Sequence, residues 1–185
     1  MWFHLKKNKA SKYWRQAFIY LGLSALAGGA HHGFANLWSA ELSFYSWKLT
    51  LLSIGGVSLN LAFEAIYRLK TKYSGVLRTL FTIKTFVYFG VILFFADQFL
   101  VVITEYLPNL IFLLFVSIYL FTKERMQTHF YIILGVVISL IAAGIQMSGF
   151  AIHEHFNHND LYHVVQIIGL IFYYKSALRY GAKWS

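Results

Sequence analysis

The chain has 185 residues, 58% of them hydrophobic and only 12% charged, against about 25% charged in a soluble domain of ordinary composition. One proline and 13 glycines exclude disordered and collagen-like classes. The absence of cysteine excludes disulfides, thiolate zinc sites, iron–sulfur clusters and cysteine nucleophiles. The net charge of +9 sits in clusters beside apolar runs, so it argues for membrane topology and contact with anionic lipid, not for nucleic acid.

Crossing the hydrocarbon core takes roughly 20 mostly apolar residues, and six segments meet that requirement. Lys6, Lys7, Lys9, Lys12 and Arg15 precede the first, about 16–36. A basic start, a short apolar run and Ala25-Leu-Ala27 also fit a signal peptide with its cleavage site; we read the segment as a retained span. Its small residues Ser24, Ala25, Gly28 and Gly29 suit a helix-packing face. Ser24 also lies two turns before His31 and His32, where it could hydrogen-bond a substrate group or a ligating histidine.

The second span is about 46–67 and carries Asn60 and Glu64; the third, about 78–96, carries Lys84. Ionisable residues at that depth are costly unless paired or wet. An interhelical Glu64–Lys84 ion pair is the preferred account, and a proton or ion pathway through Asn60, Glu64 and Lys84 is the functional alternative. The apolar stretch 78–121 must fold back to give a fourth span, about 99–121. Its turn falls either at Asp97-Gln98 or between Glu105 and Asn109, where Pro108 favours a break or kink. The fifth span is about 129–149 and the sixth about 161–178.

The expected fold is therefore all-α: one polytopic transmembrane helical bundle over residues 1–185, about six spans, with both ends in the cytoplasm. All 16 Lys and Arg residues except Lys48 and Lys84 then face the inside. Glu41, Asp97, Glu105, Glu154 and Asp160 fall on the outer side. Trp2, Trp14, Trp38, Trp47 and Trp184 read as interfacial anchors.

This topology gathers histidines at the outer face. His31 and His32 end the first span, His153, His155 and His158 lie in the last outer loop, and His163 opens the sixth span. Imidazole and carboxylate are the usual zinc ligands when thiolate is absent. Asp160 and His163 are three apart and share a helix face, with His158 just before them. A zinc site from His31 or His32, His158 and His163, with Asp160 or Glu41 as general base and Ser24 as an oxyanion donor, would suit hydrolysis. Ordinary headgroup-level histidines, with Asn159 or Asp160 capping the last helix, are the bland alternative.

Ser24 ahead of His31-His32, and Tyr162-His163-Val-Val-Gln-Ile-Ile-Gly-Leu in the last span, resemble the CREST superfamily of membrane hydrolases, which includes alkaline ceramidases and progestin/adiponectin-type receptors. The resemblance implies a zinc-dependent site acting on a lipid amide or ester. His163 takes the place of the second histidine of that family's closing His-x-x-x-His motif. The first falls on Asn159, so His158 or Asp160 would substitute.

Three functions are thus in view: a metal-dependent membrane hydrolase, a non-enzymatic scaffold or assembly partner, and a small proton- or ion-coupled transporter, the last as a homo-oligomer. The expected setting is a multi-pass membrane protein of the cytoplasmic membrane, with lipid as its neighbour and possible substrate.

Overall fold

Serine side chains start two of the long helices and a glycine ends a third. The structure, a computed structural model, describes residues 2–153 and 156–182. Glu154, His155, Lys183 and Trp184, and the side chain of Trp2, lie outside the described residues. A short helix α1 (Trp2–Lys7) precedes α2 (Lys12–Phe34), whose N-cap Ser11 accepts from the Trp14 amide at 3.2 Å. A 3-10 turn, Ala35–Leu37, leads to α3 (Ala40–Leu69), which Ser39 caps by accepting from the Leu42 amide at 3.3 Å. Then follow α4 (Ser74–Phe94), α5 (Phe99–Glu124), α6 (Gln127–Ser148) and α7 (His158–Ala182). Gly149 ends α6 in the left-handed conformation, φ +67°, which glycine adopts without steric cost.

Five of these helices, α3 to α7, are long and apolar enough to cross a membrane. The chain is an all-α, polytopic integral membrane protein. The remaining expected span coincides with α2, whose 23 residues reach about 34 Å at 1.5 Å per residue. It carries Lys12, Arg15, His31 and His32 and is not among the five. Exposed faces fit a lipid solvent: α4 turns Leu80, Ile83, Phe86 and Val87 outward while Thr85, Tyr88 and Ile92 point inward.

The turn between α4 and α5 lies at Asp97-Gln98. The alternative turn at Glu105–Asn109 is overturned: those residues are inside α5, and the helix runs through Pro108. Glu105 therefore belongs to a span and not to an outer loop.

The described chain forms two compact units. The first contains Ser11–Phe112, and the second runs from Leu113 onward. In the first, α2 packs along α3, and α3 along α4. Close approach is bought by glycine: a Cβ on Gly56 would stand 2.6 Å from the Tyr20 ring, and Gly28 faces Thr50. Leu51, Tyr88, Ile92 and Val102 form its apolar core. Trp14, expected at the membrane interface, is buried and packs on Phe18. In the second unit α6 and α7 pack as a pair, with Gly135 under the Tyr173 ring.

Candidate functional site: a buried ionic cluster

The expected outer-face residues fall in separate places. His31 and His32 occupy the last turn of α2. Their rings lie 5.7 Å apart, with the Trp47 indole 5.3 Å from His31 and 6.1 Å from His32. His31 Nδ1 is 3.0 Å from Ser46 Oγ. Together with Ala40, Ser43 and Phe44 they line an open cleft of about 550 Å³. Ser24 is buried two turns earlier in α2, and Glu41 is exposed in the first turn of α3, where an acid complements the helix dipole.

On α7, Asp160 has a structural task. Asn157 Oδ1 accepts from the Asn159 and Asp160 amides at 2.8 and 3.4 Å, and Asp160 Oδ2 accepts from the Asn157 amide at 3.0 Å. This is a reciprocal capping box, with Asn157 as the cap instead of Asn159. His158 starts the helix, and the His163 ring lies against Tyr162 at 4.8 Å. Among the described residues no three His, Asp or Glu side chains group as a metal site. Two neighbouring imidazoles, one already engaged by Ser46, fall short of the three protein ligands a catalytic zinc needs.

The densest polar chemistry lies inside the spans of the first unit. The expected Glu64–Lys84 pair does not form. Glu64 is held by Arg68 Nε at 2.6 Å, one turn along the same helix, and accepts a hydrogen bond from the Ser11 hydroxyl. Both side chains of this pair are fully buried, 0% and 0% exposed. Asn60 donates to the Gly56 carbonyl at 2.8 Å and stays out of any ionic contact. Ser11 thus joins the start of α2 to α3, serving as cap acceptor and carboxylate donor at once.

Lys84 pairs instead with Glu105. Its ammonium lies 2.7 Å from Glu105 Oε2 and donates to the Glu105 backbone carbonyl at 2.7 Å. Lys84 stands midway along α4, ten residues from Ser74 and ten from Phe94, which places it about 15 Å from either helix end. Glu105 Oε1 accepts from Thr85 Oγ1 at 2.7 Å and, at 3.5 Å, from Asn109 Nδ2. Asn109 also donates to Ser58 Oγ at 2.6 Å, and Ser58 donates to the Glu105 carbonyl at 3.2 Å. Three helices, α3, α4 and α5, therefore converge on one residue, Glu105.

Pro108 sits one turn beyond Thr104 in α5. It has no N–H for the Thr104 carbonyl, and its ring crowds that turn. Membrane helices tolerate this where the freed backbone is satisfied by neighbours or by local adjustment. The carbonyl of Glu105, next along the helix, accepts from Lys84 and Ser58.

Two polar atoms of the cluster retain unused capacity. The Lys84 contact to Glu105 Oε2 is ionic, without hydrogen-bond geometry, so Oε2 accepts no hydrogen bond; Asn109 Oδ1 accepts none either. Glu105 is 2% exposed and Asn109 0%. Beside them a cavity of about 240 Å³ is lined by Lys84, Tyr88, Thr104, Glu105 and valines of α4 and α5. A second cation, Lys48, donates to the Ile92 carbonyl and lies 3.5 Å from Asp97, whose carbonyl accepts from Trp47 Nε1 at 3.0 Å.

A family model matches residues 1–182. The chain belongs to DUF6962, a family of unknown function. No curated protein and no solved structure matches it. Membership of DUF6962 carries no link to the CREST membrane hydrolases.

Proposed function

We propose that this DUF6962 protein is a small cation- or proton-coupled membrane transporter, with Lys84 and Glu105 as its coupling pair. The observation that carries this reading is an asymmetry of burial. The Glu105 side chain is 1% exposed, whereas that of Lys84 is 33% exposed beside a cavity. The Glu64–Arg68 pair in the same unit is sealed on both sides, 0% and 0%. A sealed pair is suited to holding helices in place. A pair with one mobile, partly wet partner can open and close without unfolding its surroundings.

Energetics favours the same reading. A charge at the centre of a spanning helix costs about 2.5–3.5 kcal/mol even on insertion-based scales. Such residues mark ion pathways and proton relays more than they mark stability. The Lys and Arg distribution supports both chain ends in the cytoplasm, and six helices of this size would work as a homodimer.

The test is flux through purified protein in liposomes, read with a pH-sensitive dye under imposed proton, sodium and potassium gradients. Wild type is expected to dissipate a gradient. Glu105→Gln is expected to lower the rate at least tenfold, about 1.4 kcal/mol or more in barrier. Absence of flux from folded wild-type protein under every gradient would sink the proposal and leave the assembly-partner reading in its place.

A further inference from the structure

We infer that the Glu105 site binds a monovalent alkali cation, and that the Lys84 ammonium is a tethered occupant of the same place which the cation displaces. This rests on the coupling role given to the pair above and names its ligand.

The donor atoms are all oxygens. The two carboxylate oxygens and the backbone carbonyl of Glu105 and the Ser58 and Thr85 hydroxyls belong to one polar cluster, and Asn109, whose Nδ2 donates into it, brings its free Oδ1. Hard oxygen sets of this kind suit alkali and alkaline-earth ions and not the softer transition metals. The Lys84 ammonium already reports cation chemistry there, since it lies 2.7 Å from both a carboxylate oxygen and a carbonyl oxygen of the same residue. Asn109 Oδ1 accepts no hydrogen bond although its residue is 0% exposed, and Glu105 Oε2, in a residue 2% exposed, is met by the ammonium alone. Unused acceptors at that depth are expensive, and coordination to an ion would satisfy them.

Charge selects the valence. One carboxylate is balanced by one ammonium, so exchange of Lys84 for a monovalent ion leaves the buried site neutral. A divalent ion would leave a net positive charge inside the membrane, which is disfavoured. Lys84 has somewhere to go: its side chain is one-third exposed and borders the cavity, and its long stem lets the ammonium swing away while the methylenes stay against apolar surface. The exchange couples binding to movement, because Lys84 links α4 to α5 only while the site holds no other cation.

The test measures cation-dependent thermal stability of full-length protein in detergent, at constant ionic strength, in sodium, potassium, lithium or N-methylglucamine chloride. In Lys84→Met, which keeps the aliphatic stem and removes the competitor, one alkali cation is expected to raise the melting temperature saturably. The rise expected is about 4 °C at ten times its Kd. The added change Glu105→Gln should abolish it. Wild type should bind radioactive sodium or rubidium at least tenfold more weakly than Lys84→Met, a comparison that also serves should Lys84→Met prove too unstable to melt cleanly in the organic-cation buffer. Equal stability in all four salts, with no saturable isotope binding to either protein, would overturn the inference, as would a response to pH alone. Flux in wild type without any alkali-cation effect sinks this inference and leaves the transport reading standing. Cation binding without flux does the reverse.

Discussion

Lys84 holds Glu105 twice, 2.7 Å from the carboxylate and 2.7 Å from the backbone carbonyl of the same residue. Only the first contact depends on the charge of Glu105. Neutralising the acid therefore leaves Lys84 tethered to α5 through the carbonyl. Glu105→Gln is expected to fold, at a cost of about 1–3 kcal/mol. Unfolding by denaturant in mixed micelles, beside wild type, checks this; a variant that fails to fold would mean that the pair is a structural lock.

The sealed pair should behave differently. Glu64 and Arg68 are both fully buried, so removing one strands the other in an apolar setting. Glu64→Ala and Arg68→Ala are each expected to cost about 3–5 kcal/mol, and the double variant less than the sum. A double-mutant cycle on thermal unfolding measures the coupling, and additive losses would count against a direct pair.

The capping box at α7 gives a smaller effect with no functional consequence. Asp160→Ala and Asn157→Ala are each expected to lower stability by about 0.5–2 kcal/mol. Because the two side chains act reciprocally, the second substitution should cost less once the first is present. Liposome flux should stay at the wild-type rate in Asp160→Ala. A large loss of flux there would revive a chemical role for Asp160.

Helix contact in the second unit depends on a missing side chain. A Cβ on Gly135 would stand 2.6 Å from Cε1 of Tyr173, closer than any relaxed contact. Gly135→Ala is expected to cost about 1–3 kcal/mol by overpacking. Combining it with Tyr173→Leu should recover part of that loss. Melting temperatures of the four proteins decide the matter, and an unchanged melting temperature in Gly135→Ala would mean that the Tyr173 ring moves freely.

The outer histidines offer a contrast with the buried acid. His31 and His32 pack with Trp47 at the end of α2, away from the atoms that hold Glu105. Their joint replacement by alanine is expected to leave the flux rate within about twofold, a barrier change of roughly 0.4 kcal/mol. A tenfold loss would move the site to the histidine cleft.

The apolar runs made the helices legible, because length and hydropathy leave little choice once a segment passes about 20 residues. Helix partners were far less legible. Arg68 lies one turn after Glu64, the spacing of an intrahelical ion pair, yet Lys84, an ionisable residue within another span, competes for the same acid because it too needs a partner at that depth. Pro108 near Glu105 argues for a turn in the sequence, which places the acid outside the membrane. The helix runs on through that proline, and the donors that reach Glu105 from other helices leave no mark in local sequence. The Asn157–Asp160 spacing was visible, but placing the start of α7 two residues late hid the capping box. Nothing in the pattern of residues distinguishes the partly exposed ion pair from the sealed one, since that depends on the cavity beside Lys84.

The buried acid in α5 also bears on how the protein is made. A helix carrying a carboxylate in its span is a poor independent passenger in lipid. The side chains that meet this carboxylate from outside its own helix, Lys84 and Thr85, belong to α4, which leaves the ribosome earlier. Synthesis from the N-terminus thus presents α5 with a partner surface already prepared. The order of segments along the chain is, in this respect, an assembly instruction, and a rearranged chain that delivered α5 first would expose that carboxylate to hydrocarbon with nothing to receive it.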